Sequence, residues 1–355
     1  MNAYLGLPRR GESLSWAFCL VVFVMMGVSS HAQENKPAFP HGSPKEPLRK
    51  ELSLAKAAES MDHTAVAWVR KNKCGSCHTG WPYVSSRTLL LKEAPTDSLA
   101  EVRAFFEGRI TNWDADEQVK KHQHREIVGT SAALAMHDAQ STGRLHPVTR
   151  QALDRLWTLQ RKDGAWSWPK CSWPPFEVDD YFGAVLAALG VGHAPENYAR
   201  SDAARAGVDK LRAYLKKTPA PNQHHRAWLL WAAVRLDGLL DDEEKQSTIR
   251  DLLALQREDG GWSMESLSPE WTGREGEKAN PNAPSDGYGT GLVVFALREA
   301  GIPASHEALQ RGVKWLSTNQ RESGRWFTRS LNGVPQHFIS DTATVFAVLA
   351  LKACE

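Results

Sequence analysis

Three stretches of the chain align with one another without a gap. They are LWTLQRKDGAW (156–166), LLALQREDGGW (252–262) and LSTNQRESGRW (316–326). Each is a helix-like run closing on Gln-x-x-x-Gly-x-Trp. Each is followed by an aspartate and an apolar run: Asp180 with YFGAVLAALG, Asp286 with GYGTGLVVFALREAG, Asp341 with TATVFAVLALKA. A recurring unit constrains a fold more than any local propensity, because one copy cannot bury its apolar face and must stack on the next. Weaker copies fill the gaps. ARAGVDKLRAYLKK (204–217) leads to His224–Gly238, DSLAEVRAFFEGR (97–109) to His124–Gln140, and Lys56–Lys71 to Tyr83–Lys92. That makes six helix pairs. The first helix of each is the more polar and the second the richer in Ala, Val, Leu and Gly, as two concentric rings require. Six pairs closing on themselves leave no exposed solenoid ends.

The chain has 355 residues, 42% hydrophobic, which is ample for one large core. Lys and Arg (43) nearly balance Asp and Glu (41) and form no long basic block, so no nucleic-acid partner is expected. Arg9-Arg10, the uncharged run Trp16–Val28 and the small-x-small site Ser30-His31-Ala32 read as a signal peptide over 1–32. The run is too short to span a bilayer, so no stable membrane span is expected after cleavage, and the mature protein is expected in the periplasm or outside the cell. Residues 33–50, rich in Pro and charge, read as a flexible lead-in, and the folded body as 51–355.

The stretch RGVKWLSTNQRESGRW (311–326) resembles the "QW" repeat of squalene-hopene and oxidosqualene cyclases, in basic-Gly-x-x-aromatic-apolar-x-x-x-Gln followed by Gly-x-Trp. The resemblance covers most of 51–355, strongly in three units and faintly in three. It implies an all-α, single-domain (α/α)6 toroid of the terpenoid-cyclase and prenyltransferase type. It also implies a structural role for Gln160, Trp166, Gln256, Trp262, Gln320 and Trp326, tying neighbouring repeats together.

The same resemblance raises the matter of acid catalysis. Class II terpene cyclases protonate their substrate with the middle Asp of Asp-x-Asp-Asp. The nearest match is Glu177-Val178-Asp179-Asp180, which would make Asp179 the donor and Asp180 its neighbour. Crowded carboxylates do raise one another's pKa. Here, however, Glu177 replaces the first Asp, and Tyr181-Phe182 stands where the family has Thr-Ala. Asp180, Asp286 and Asp341 recur at one place in three units, where an aspartate before an apolar helix is expected to be an N-cap. The Asp-x-Cys and distant His of zinc prenyl transfer have no counterpart.

One segment departs from the repeat. Cys74-Gly-Ser-Cys77-His78 is the attachment signature of a c-type haem: two thiols for the haem vinyl groups, and an adjacent imidazole for the iron. The signature predicts one covalent haem, held by Cys74 and Cys77 with His78 as proximal ligand. A redox Cys-x-x-Cys pair wants a βαβ context that is missing, and a zinc site wants a second ligand pair; a plain disulfide is the remaining alternative. Asn72 stands where later units have Gln, so CGSCH replaces the Gly-x-Trp loop of unit one, on the rim that carries every outer-to-inner loop. His122 and His124 in unit two, and His337 in unit six, are the candidate sixth ligands. Met136 and His137 lie about 20 Å down an inner helix and are set aside. Trp166, Trp168, Trp173 and Trp271 gather in loops of the same face with Cys171, for which Cys354 is a conceivable partner.

Three functions follow. The first is an exported mono-haem toroid in electron transfer, redox sensing or ligand binding, with a redox partner protein or a hydrophobic small molecule. The second is a class II terpene-cyclase-like enzyme on an isoprenoid. The third is a non-catalytic interaction module. An open, aromatic-lined ring interior favours the second, and a filled one counts against it.

Overall fold

The computed structural model describes residues 43–90, 96–332 and 339–355. Among these no β-strand forms, and helices alternate between two layers. The outer helices are α1 (Leu54–Asn72), α3 (Asp97–Thr111), α6 (Pro147–Thr158), α8 (Asp202–Lys217), α10 (Asp242–Ala254) and α12 (Glu307–Thr318). Their inner partners are α2 (Gly80–Ser86), α5 (Gln123–Ser141), α7 (Asp180–His193), α9 (Gln223–Arg235), α11 (Gly287–Glu299) and α13 (Ile339–Ala353). A short α4 (Glu117–Lys121) joins α3 to α5, and α2 is half the length of the other inner helices.

The inner helices pack in sequence, α2 on α5, α7, α9, α11 and α13, and α13 returns to α2. The ring is closed, as an (α/α)6 toroid demands. Burial follows from the two layers. Outer α8 buries one stripe (Ala204, Gly207, Val208, Leu211, Leu215), at the spacing of a single helix face. Inner α11 buries every residue from Gly287 to Leu297, because the outer layer covers one side and the ring centre the other. At the centre Trp228 and Trp231 meet Phe346, and Trp231 meets Phe295, edge to face at centroid separations of 4.9–6.2 Å, with Phe295 and Phe346 tilted at 6.4 Å.

The repeat signature acts as a staple. Trp166, Trp262 and Trp326 are fully buried, and each indole N–H donates to the carbonyl ten residues back: Leu156, Leu252 and Leu316. Each Gln amide donates to its own loop glycine and to the next outer helix. Gln160 reaches Gly207 O at 2.9 Å, Gln256 reaches Ala308 O at 2.7 Å, and Gln320 reaches Ser53 O at 2.9 Å. The last of these joins unit six to unit one. The loop glycine is required: Gly324 has φ +87°, and a Cβ there would lie 2.3 Å from Lys56 O.

Of the lead-in, residues 43–50 are described, and they are pinned rather than loose. Arg49 N donates to Gln320 O, Glu322 N to Pro47 O, and Ser323 N to the Glu46 carboxylate. A Pro-rich segment reads as flexible because it lacks partners of its own kind; this one borrows them from the loop of unit six. The signal-peptide residues 1–32 and lead-in residues 33–42 lie outside the described residues.

Candidate functional site

The CGSCH segment bridges α1 and α2 on the rim, where units three, five and six carry their staple. Asn72 does not replace the missing Gln: its amide reaches only Trp68 O of its own helix, at 3.4 Å. Units one and two are joined instead by the Arg70–Glu101 pair and by Arg109, which donates to Lys73 O.

Lys73 and Ser76 both take left-handed φ, 49° and 54°, which folds the motif into a tight knot. The Trp68 indole N–H donates to Cys74 O at 3.1 Å, and the Trp68 ring meets His78 edge to face at 5.3 Å. His78 Nδ1 lies 2.9 Å from Ser76 Oγ and 3.1 Å from Thr79 Oγ1. The His78-Thr79 peptide is docked on unit six: Thr342 Oγ1 donates to His78 O at 2.6 Å, and Thr79 Oγ1 donates to Asp341 Oδ2 at 2.9 Å. Arg325 pairs with the other oxygen of Asp341. The motif therefore sits on the seam where the ring closes.

Cys74 is half-buried, whereas Cys77 is 9% exposed and lines the ring interior. Its Sγ is 3.6 Å from Glu177 Oε1, and the Cys171 thiol donates to Glu177 Oε2 at 2.8 Å. Arg125 lies 3.6 Å from the same carboxylate. Burial, then the Glu177 charge, push the Cys77 thiol well above the usual thiol range, and burial with the Glu177 hydrogen bond raises Cys171. Glu177 thus links two thiols 94 residues apart in the chain (171 minus 77). Its position in a cyclase-like motif hid this from sequence reasoning, since only the fold brings it to unit one. Cys354 directly follows α13, whose other end carries Asp341 at the rim. A helix of this length separates its ends by about 20 Å, so Cys171 has no partner there. Among the described residues no three His, Cys, Asp or Glu side chains converge closely enough to hold a metal ion.

The sixth-ligand candidates diverge. His122 is pushed below the usual imidazole range by burial and then by Arg125, beside the thiol cluster. His124 is lowered by burial and then by the charge of Arg161 in unit three. His337 lies outside the described residues.

The carboxylates carried over from the cyclase motif have other tasks. Asp179, not Asp180, caps α7, accepting from Phe182 N at 2.9 Å. Asp180 sits in the first turn, accepting from Trp168 N and pairing with Arg161 and Lys170. In unit five Asp286 performs both jobs, capping Gly289 N and holding Met264 N. Burial acts to raise Asp179, but His225, 3.1 Å away, and the backbone N–H groups outweigh it and hold the carboxyl below its usual value. Asp180 is lowered likewise, by Trp168 N, Arg161 and Lys170 against burial. Neither is kept protonated at neutral pH.

A depressed folded-state pKa contributes stability that is present above the ordinary carboxylate value and is lost as pH falls through the folded one. Asp179→Ala is therefore expected to cost about 1 kcal/mol at pH 7, as cap losses do, and less as the pH drops below about 4. Urea unfolding at pH 7 and pH 3 measures the difference; an equal cost at both would contradict it.

The interior beside Cys77 is nearly full. Phe176, Phe182, Trp228, Trp231 and Phe346 leave a cavity of about 40 Å³, room for one or two waters. A long loop between Trp262 and Asp286, which the repeat pattern did not reveal, reaches across to unit three. Arg274 of this loop donates to Cys171 O at 2.9 Å and lies over the Trp173 ring at 4.2 Å.

These features define a single closed α/α toroid of the terpenoid-cyclase type with a thiol–imidazole cluster on its seam. Comparison with known proteins agrees on the scaffold. The pattern of the squalene-hopene cyclase C-terminal domain matches residues 228–354. A squalene–hopene cyclase of Bradyrhizobium diazoefficiens is 32% identical over 125 residues, covering 32% of this chain and 18% of the relative. A lanosterol synthase of Aspergillus fumigatus is 31% identical over 147 residues, covering 38% and 19%. A probable squalene–hopene cyclase of Sinorhizobium fredii is 26% identical over 230 residues, covering 54% and 33%. The chain thus spans a third or less of the length of these relatives.

Proposed function

We propose that this chain is an exported redox protein: a squalene-cyclase-like toroid holding one covalent c-type haem through Cys74 and Cys77, with His78 as proximal iron ligand. One observation carries the reading. The segment that replaces the repeat staple holds two thiols and an imidazole in attachment order, and that imidazole is oriented through Nδ1 by Ser76 and Thr79. Outer groups that fix a ligating histidine through one ring nitrogen are the usual complement of a metal-binding one. The order of donors fits the group, whereas their placement in the closed ring does not: Cys77 is turned to Glu177 and the filled interior, so the two thiols would face one macrocycle only with the ring open at this seam. Bound there, haem would supply one-electron transfer or small-ligand binding.

The chain's own residues would do the rest. Trp68 and the Thr342 contact fix the His78 ring and peptide, while Glu177 and Arg125 set the polarity around Cys77. The ring interior, with about 40 Å³ free, has no room for a macrocycle; the half-buried Cys74 and His78 open toward the rim. The export reading rests on residues 1–32, and the partner would be a redox protein or a small apolar molecule. Acid-initiated cyclisation finds less support, because Asp179 and Asp180 are held ionised and the interior is filled.

The test is an intact mass and visible spectrum of the full chain, produced with and without c-type haem maturation. A covalent haem mass with a Soret band, only with maturation, supports the proposal. A colourless protein at apo mass sinks it and turns attention to isoprenoid substrates, with Asp179→Asn as control. Within the haem reading, Thr79→Val removes one hydroxyl from His78 Nδ1 and the donor to Asp341. It is expected to leave the covalent mass unchanged while shifting the reduction potential; an unshifted potential would separate Thr79 from the haem ligand.

A further inference from the structure

The haem signature and the closed ring disagree at one place. Cys77 Sγ is turned to Glu177 and a nearly full interior, while Cys74 and His78 are half-buried at the rim. One macrocycle reaches both thiols only if unit one shifts against a neighbour.

The two flanks of unit one differ. Toward unit two, α2 packs closely on α5: a Cβ at Gly129 would lie 2.2 Å from the Trp81 ring. Toward unit six the contact is lighter, because α13 packs mainly on α11 and touches α1 and α2 little. The inner wall of this seam is also polar. Ser60, Thr64, Thr79, Arg325, Asp341 and Thr344 surround a cavity of about 10 Å³, room for about one water. Thr79 Oγ1 crosses the wall to Asp341, and Thr342 Oγ1 crosses it to His78 O. The Arg325–Asp341 pair lies wholly within unit six, so opening the wall leaves it intact and returns water to it. Rehydration of buried charges offsets part of the cost of parting such a wall. The outer side of the seam is stitched differently, by the two Gln320–Ser53 bonds and by residues 46–49 held on the unit-six loop.

We infer that the ring opens at this seam, units one and six parting on the inner side about the outer stitches as a hinge, and that the haem-bearing chain is the open form. The second half rests on the haem reading; the first does not. Released from Asp341 and Thr342, the Cys77–Thr79 stretch is free to turn its sulfur from Glu177 toward the rim, where Cys74 and His78 already lie.

The opening is tested on the haem-free full chain, by the rate at which N-ethylmaleimide alkylates Cys77, read from peptide masses. Thr342→Val removes the donor to His78 O and is expected to speed alkylation about tenfold, the effect of one hydrogen bond. Gln256→Ala, at the staple between units five and six, should leave the rate unchanged. Equal acceleration in the two variants would mean that Cys77 is reached by global unfolding, and overturns the opening; so does no acceleration in Thr342→Val. The second half is tested by hydrogen exchange on chain produced with haem maturation. Where intact mass shows haem, amides of α2 and the first turns of α13 should exchange at least about tenfold faster than in the haem-free chain, with α7 and α9 unchanged. Equal protection would seat the haem on a closed ring and overturn the second half. Chain that never carries haem overturns the second half together with the haem reading, and the alkylation rates still decide the opening.

Discussion

Cys74→Ala/Cys77→Ala, produced with c-type haem maturation, is expected to come back at apo mass and without a Soret band. Each single variant should keep at most one thioether, detected as an unreacted vinyl group in the pyridine haemochrome spectrum of a haem that still resists acid–acetone extraction. His78→Ala should keep the covalent mass while its ferric and ferrous spectra change, because the thiols, not the imidazole, make the covalent bonds. Cys171→Ser should leave the mass unchanged, which separates the third thiol from the attachment pair. A double variant that still carries haem would place attachment elsewhere and end the assignment. The expected effect is all-or-none because no other Cys-x-x-Cys occurs in the chain.

The second large effect concerns closure. Trp326 is fully buried, and its indole N–H is bonded at 2.8 Å to Leu316 O. Trp326→Ala is expected to cost about 3–5 kcal/mol, as large aromatic truncations in cores do. Gln320 is bonded to Gly324 O and Ser53 O and accepts from Ser53 N at 2.7 Å. Gln320→Ala removes three bonds at once and leaves buried backbone groups unpaired, at about 1–3 kcal/mol for each group left unsatisfied. Urea unfolding with hydrogen exchange is the check. Faster exchange should concentrate in α1 and α12 for Gln320→Ala. A uniform change across the ring would mean that closure is not held at this seam.

The scaffold was legible because the staple is local: Gln, Gly and Trp lie within seven residues, and their helix is the one they cap. So was the rim position of CGSCH, since the repeat register places it. The site around it was not. Glu177 reads as part of a cyclase motif and Cys171 as a stray thiol, and their meeting with Cys77 depends on how units one and three approach across the mouth. Asp180 was expected as the α7 cap by analogy with Asp286. The paired Asp179-Asp180 divides between two residues what Asp286 does alone, a distinction of one residue that repeat alignment does not resolve.

On the proposed haem reading, the seam would also impose an order of events. In the closed ring Cys77 is 9% exposed, with its sulfur turned to Glu177, and the His78-Thr79 peptide is fastened to the start of α13. The last helix of the chain is thus the latch over a motif near its beginning. A covalent modification at Cys77 would have its opening while α13 is still unplaced, so maturation would run as a race between the modifying step and the docking of α13.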